Sequence, residues 1–298
     1  MQARSMLLAT LVAALWGGNF IAAKLATREF SPLLLLALRF LITGLLMLPL
    51  AGRLPRRSLV PVLMVSVTLG VLHFGLMFAG VQRIDVGISS IAAQLGVPFS
   101  TLLAVLLFRD RLGWRRLLGV TIAFAGVVVL AGVPGAVDDL PGLGLVVAGA
   151  FAWAVANAVI KHYGPFDTHV LTAWMALLAT PQLLGLSLLL EDGQWQSVID
   201  ATWVGWGALA YTVVGSTIVA YSLWYWLINT NPVSHVVPFT LLAPVFAVAA
   251  AVLLLGEQIT LPLLIGGAMT IAGVGLCELR WRRVRPRGRQ PDVAVPPE

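Results

Sequence analysis

The sequence predicts an all-α integral membrane protein of ten transmembrane helices, built as two inverted five-helix repeats with both termini inside. Three observations predict it. The first is composition: 59% of the 298 residues are hydrophobic and 11% are charged, against about 25% charged in a soluble domain. Such a chain cannot cover itself with polar surface, so lipid is its solvent. The second is periodicity: apolar runs of about 20 residues, the length that crosses a bilayer, recur along the chain between short charged or Pro/Gly segments. Alternating strands of a membrane barrel are not seen. The third is a repeat. PFSTLLAVLLFRDRLGWRRLLGVTIAFAGVVVL from Pro98 answers PVFAVAAAVLLLGEQITLPLLIGGAMTIAGVGL from Pro244. Pro98 matches Pro244, Asp110 matches Glu257, Gly119 matches Gly266 and Gly126 matches Gly273. Earlier, Trp16 matches Trp153 and Lys24 matches Lys161. A repeat with an odd number of spans is necessarily inverted in the membrane, the build of many secondary transporters.

The spans follow in order. The first, 5–26, resembles a signal peptide in its charge and apolar run, but it is long enough to span, lacks a small-residue cleavage site and takes part in the repeat. It is read as retained. Spans 32–51, 59–81, 86–108 and 115–132 complete the first repeat, residues 1–132. The segment 133–141 (VPGAVDDLP) is a linker too short for a domain. Spans 142–161, 168–190, 202–227, 235–255 and 261–280 form the second repeat, residues 142–280. The basic, Pro-rich segment 281–298 is expected to be a disordered cytoplasmic tail, a topology anchor against anionic lipid.

Lysine and arginine set the orientation. With the N-terminus inside, inner segments hold Arg4; Arg53, Arg56 and Arg57; Arg109, Arg111, Arg115 and Arg116; Lys161; and the arginines from Arg280 to Arg289. The outer side holds Lys24, Arg28 and Arg83, and Arg39 lies within span 2. Asp138, Asp139, Glu191, Asp192 and Asp200 then face outward. The net charge of +6 is therefore a matter of membrane orientation and does not point to nucleic acid. The lone Cys277 excludes an internal disulfide and a cysteine-based zinc site. No metal or other cofactor is expected.

The segments ALWGGNFIAAKL and ALRF, together with the two Pro-to-Gly segments, resemble the EamA branch of the drug/metabolite transporter superfamily over about residues 5–280. Asp110 stands where a glutamate is usual, which exchanges one helix-end carboxylate for another. The resemblance implies ten helices in two inverted repeats and export of small metabolites from the cell through its inner membrane. Among members, the chain is most similar to amino-acid exporters, those for aromatic amino acids included. A small-molecule substrate, membrane lipid and a monomeric protein are the expected partners and state.

Polar groups in lipid each need a reason. Near span centres lie Trp16, Asn19, Arg39, His73, Ser90, Gln94, Trp153, Asn157, Trp174, Ser216, Thr217, Tyr221, Trp224, Tyr225 and Thr240. Trp16 with Asn19, and Trp153 with Asn157, each share a helix face. An aromatic plate beside an amide suits a zwitterionic amino acid; plain helix packing, with Asn bonding a neighbouring carbonyl, is the competing reading. Trp16, Asn19, His73, Gln94, Trp153, Asn157, Tyr221, Trp224 and Thr240 are the candidate substrate-binding residues. Pro98 and Pro244 remove backbone donors inside spans 4 and 9 and are candidate hinges, with a static kink as the alternative. Arg39, a full charge whose insertion costs roughly 2.5–3.5 kcal/mol, is expected to be tethered to carbonyls. Asp110 and Glu257 are expected to anchor hairpins.

Three other functions are weighed. An intramembrane enzyme would need clustered nucleophile, acid and base groups, which the spans lack. A sugar-phosphate or nucleotide-sugar carrier would need several cavity cations, yet Lys24 and Lys161 fall at opposite membrane ends. A proton-coupled drug or metabolite pump would rely on His73, the one mid-span group that titrates in the useful range. Facilitated export by alternating access is preferred.

Overall fold

The computed structural model describes residues 1–110 and 112–278, with the side chains of Val233 and Ser234 also outside the description. The expectation for the tail 281–298 therefore falls outside the described residues. Those described are helical throughout, with no strand among them. Among the described residues, nine helices are long and apolar enough to cross a membrane. They are α1 (Ala3–Ala26), α2 (Pro32–Ala51), α3 (Arg56–Arg83), α4 (Val86–Phe108), α6 (Leu140–Tyr163), α7 (Thr168–Leu190), α8 (Trp203–Thr230), α9 (Val237–Leu255) and α10 (Leu261–Glu278). The helix between α4 and α6, α5 (Trp114–Leu130), has 17 residues. Large apolar side chains stay exposed along the flanks, among them Leu106, Val128, Leu189 and Leu253, as a lipid-facing surface requires.

Local chemistry sets the helix starts. Asp167 accepts from the His169 and Val170 amides at the start of α7, Asp139 from Gly142 in α6, and Thr202 from Val204 in α8. Each supplies an acceptor to a donor that the helix itself leaves unpaired. The start of α4 has no cap of its own. Glu257, from the turn between α9 and α10, supplies it across the bundle: its carboxylate accepts from the Val86 amide at 2.7 Å and the Gly87 amide at 2.9 Å. Glu191 does the same for α2, accepting from Leu33 and Leu34. Carboxylates at helix N-termini are stabilised by both the orphan amides and the helix dipole.

The packing pairs keep their pattern when the two halves are exchanged. Helix α1 packs on α8 and α9, and α6 packs on α3 and α4; α2 packs on α7, and α5 on α10. The α5–α10 crossing is a glycine seam. A Cβ on Gly126 would lie 2.6 Å from the Gly266 carbonyl oxygen, and one on Gly273 would lie 2.6 Å from that of Gly119. The glycines matched between the repeat segments are thus the ones that touch, letting two backbones approach closely.

Several stretches depart from α geometry. Ser66–His73 in α3 and Tyr211–Val219 in α8 are wound as π-helix, as is Ala251–Leu255 in α9. A 3₁₀ turn, Ala93–Leu95, runs into the helical segment that holds Pro98, and another, Val237–Leu241, into the segment that holds Pro244. Proline withholds an amide from the helical ladder, and the tighter turn just ahead of it marks the break in each case.

Candidate functional site

Helices α1 and α8 build an aromatic cluster in the interior. The Trp16 ring lies 5.5 Å from Tyr221 and 5.3 Å from Trp224, tilted to both. Tyr221 stacks on Tyr225 one turn on, at 6.1 Å. Tyr221 leaves 41% of its surface free. Asn19, on the Trp16 face of α1, has a buried Oδ1 with no hydrogen-bond partner among the described residues, and the Trp16 Nε1 is likewise unpartnered among them. Buried polar atoms are nearly always satisfied, so this pair of orphans is notable.

The second aromatic–amide pair is arranged differently. Trp153 packs against Gly96 of α4, where a Cβ would come 2.8 Å from the indole edge. Asn157 donates its side-chain amide to the Trp153 carbonyl at 2.9 Å, so that donor is spent on its own helix. Gln94 and Thr240 sit half-buried in the two 3₁₀ turns ahead of Pro98 and Pro244. Thr240 donates to the Val237 carbonyl within its turn. The structure thus brings Trp16, Tyr221 and Trp224 together between α1 and α8, with Asn19 one turn from Trp16 on α1, and places Trp153, Asn157 and Gln94 along α6 and α4.

His73 ends the π segment of α3. Its Nδ1 lies 2.9 Å from the Gly149 carbonyl. A carbonyl can only accept, so Nδ1 carries the proton, and in the neutral ring Nε2 keeps the lone pair. The ring also meets Phe74 edge-on at 4.6 Å.

Arg39 departs from expectation. It is 3% exposed, and its one hydrogen bond runs from Nη2 to Thr217 Oγ1, at 3.2 Å. No backbone carbonyl among the described residues tethers it. The guanidinium instead stands over the Phe74 ring at 4.7 Å, with Phe78 at 5.5 Å and Phe40 at 5.9 Å. A weakly hydrated planar cation is favoured over aromatic faces, which explains how it is held without carbonyls. The Thr217 hydroxyl donates to the Thr212 carbonyl, five residues back in the π segment, so its lone pair faces Arg39. Arg39 Nε and Nη1, and Thr43 Oγ1 one turn further along α2, are buried without hydrogen-bond partners among the described residues.

The charged groups gather at the bundle's ends. At one end Lys24 donates to the carbonyls of Val81, Gln82 and Ile84 at 2.9–3.0 Å. Arg83 pairs with Asp139 there at 2.6 Å, which holds the Asp139 carboxyl below its ordinary range. Glu257 caps α4 at this end; burial pushes its carboxyl up, against the pull of the two amides it accepts from. It clamps one half of the chain to the other, a longer reach than a hairpin anchor. A cavity of about 640 Å³ also opens at this end, lined in part by Thr27, Arg28, Gln82, Arg83 and Glu191. At the other end Lys161 lies 3.7 Å from Asp110 and 4.0 Å from the centre of the Phe108 ring.

The sequence alone did not reveal the aromatic box around Arg39 or the long-range caps. Phe74 and Phe78, one turn apart in span 3, were the available signal for the box. The caps join residues distant in the chain and leave no local pattern.

Comparison with known proteins agrees with this architecture. The EamA-like transporter family matches residues 3–132 and again 140–278. A "Probable amino-acid metabolite efflux pump" of Salmonella typhimurium (strain LT2) is 31% identical over 283 residues, covering 92% of this chain and 94% of that protein. A protein of the same name from Escherichia coli (strain K12) is 30% identical over 297 residues, covering 95% and 98%. "Uncharacterized transporter YvbV" of Bacillus subtilis (strain 168) is 26% identical, covering 92% of each chain. A protein crystal structure 20% identical in sequence superposes with a TM-score of 0.62, over 93% of this chain and 96% of that one. It speaks for the fold alone.

Proposed function

The chain belongs to the EamA-like transporter family, and from that premise we propose that this multi-pass membrane protein exports amino acids, neutral and aromatic ones favoured. The observation that carries the proposal is the ring cluster of Trp16, Tyr221 and Trp224, with an unpartnered amide oxygen at Asn19 on the Trp16 face of α1. Rings hold an apolar or aromatic side chain by stacking, and an amide oxygen accepts from an ammonium group without a fixed charge. The printed names of two relatives, amino-acid metabolite efflux pumps, support the same substrate class.

Transport proceeds by alternating access in this reading. Two inverted five-helix repeats, 1–132 and 142–280, rock about a site between them, joined by the linker 133–141. The exchangeable packing pairs support it, as do the 3₁₀ turns ahead of Pro98 and Pro244. Both termini lie inside. The interactions among residues assigned outward, Lys24 with Ile84, Arg83 with Asp139 and Glu257 with Val86, support placing them on one membrane face. The protein acts as a monomer in lipid.

Movement is facilitated rather than driven. His73 is engaged with the Gly149 carbonyl, which favours a packing role over proton carriage. Lys24 and Lys161 are engaged with different partners at the two ends, which weighs against a phosphate carrier.

Reconstitution into proteoliposomes with labelled amino acids, sugar phosphates and drugs is the test. Neutral and aromatic amino acids are expected to move. Asn19→Ala and Trp153→Ala are expected to cut their transport while membrane expression holds. Wild-type rates in both variants would remove the site from consideration. Uphill accumulation under an imposed pH gradient, lost in His73→Ala, would replace facilitated export by proton coupling.

A further inference from the structure

We infer that Arg39 is the anion receptor of the transport site and takes the carboxylate of the solute. The inference rests on the reading above that the α1–α8 aromatic cluster is where the solute sits. A guanidinium always carries its charge, and burial without a counterion is strongly unfavourable. Arg39 is 3% exposed and has no acidic partner among the described residues. The rings of Phe74, Phe78 and Phe40 soften this burial but supply no hydrogen-bond acceptor. Nε and Nη1 stay empty. Nε with Nη2 makes one forked edge and Nη1 with Nη2 the other, so a carboxylate that replaces Thr217 on Nη2 gains a second, parallel bond from an unpartnered nitrogen on either side.

The surroundings fit a carboxylate that carries more than charge. Thr217 holds Nη2, the nitrogen that both edges share, at 3.2 Å, a neutral bond easily exchanged for a charged one. Tyr221 follows Thr217 by four residues on α8 and touches Trp16. Asn19 Oδ1 lies on the Trp16 face. Donors without acceptors on α2 and an acceptor without a donor on α1 are the two ends of an α-amino acid, with rings between them. The carboxylate occupies the Arg39 edge and the ammonium the Asn19 oxygen. Thr43 Oγ1, also unpartnered on α2, is a further donor on the carboxylate side. A solute whose acid is capped as an amide leaves the fork unpaired and is rejected, as sites built around a buried polar group reject analogues that lack its partner.

The test uses the full chain, purified and reconstituted, with matched acid–amide probes: phenylalanine and phenylalaninamide, benzoate and benzamide. Thermal protection of the wild-type protein is read first and needs no variant. Each acid is expected to protect where its amide does not. Transport is read second: phenylalanine is expected to move at least about tenfold faster than its amide. Arg39→Gln is expected to remove most of that gap, and Arg39→Lys to restore part of it, because the charge returns without the fork. Equal protection by acids and amides, or an Arg39→Gln protein that keeps the full preference for phenylalanine, overturns the inference. Should Arg39→Gln fail to reach the membrane, the wild-type probe pairs alone decide. Protection by benzoate without protection or transport of phenylalanine would leave the anion receptor standing and overturn the amino-acid reading. Protection by neither acid overturns the receptor.

Discussion

Arg109 and Gly256 close α4 and α9 in the same left-handed conformation, at φ 55° and 72°. An L side chain there crowds the backbone, and glycine does not. The two residues each precede one of the matched carboxylates, Asp110 and Glu257. Arg109→Gly is therefore expected to raise thermal stability by about 1 kcal/mol and Gly256→Ala to lower it by a similar amount, read as opposite shifts of the midpoint in detergent. Shifts of the same sign would contradict this. Residue chemistry was unevenly legible in the sequence. Trp16, Asn19, Tyr221 and Trp224 stood out as mid-span groups at helix-face spacing, and the structure sets the Trp16 ring against Tyr221 and Trp224. Arg39 was noticed as a charge in lipid, but its partners come from α3 and α8, distant in the chain, and no spacing rule names them.

At the scale of elements, the α5–α10 seam turns on backbone contact. Gly126→Val puts a branched side chain where the Gly266 carbonyl already stands. Overpacking of this kind costs about 1–3 kcal/mol; expected is a clear fall in thermal midpoint, with Gly144→Val in α6, where open space surrounds the position, as the tolerant control. Equal falls would show that the seam is loosely packed. The Arg83–Asp139 pair ties the α3 end to the α6 start. Its Asp139 carboxyl titrates below the unfolded value. Its stabilisation is therefore present above the unfolded pKa and lost as pH falls through the lowered one. In wild type the midpoint should drop more steeply on acidification than in Asp139→Asn, and high salt should shrink the difference because the pair is exposed. Parallel acid profiles would contradict this. Span positions were readable to a few residues because hydropathy alone dictates them. The π segments at Ser66–His73 and Tyr211–Val219 were not, since an extra residue in a turn leaves apolar composition unchanged.

For the whole molecule, lipid as solvent was legible from 59% hydrophobic residues; the glycines at 119, 126, 266 and 273 were legible as matched repeat positions, and only the structure shows that they meet where α5 crosses α10. What lay beyond sequence was which helices of one half touch which of the other, because those pairings are set by shape rather than by local pattern. The central claim is that one site of rings, an amide and a guanidinium passes amino acids across the membrane without an ion gradient. Counterflow measures it most directly. Proteoliposomes holding the wild-type chain are loaded with unlabelled phenylalanine and diluted into labelled phenylalanine, with pH and ions equal on both sides. The account predicts a transient overshoot of label inside the vesicles, absent from protein-free vesicles and strongly reduced in Asn19→Ala. Entry no greater than into protein-free vesicles would contradict it.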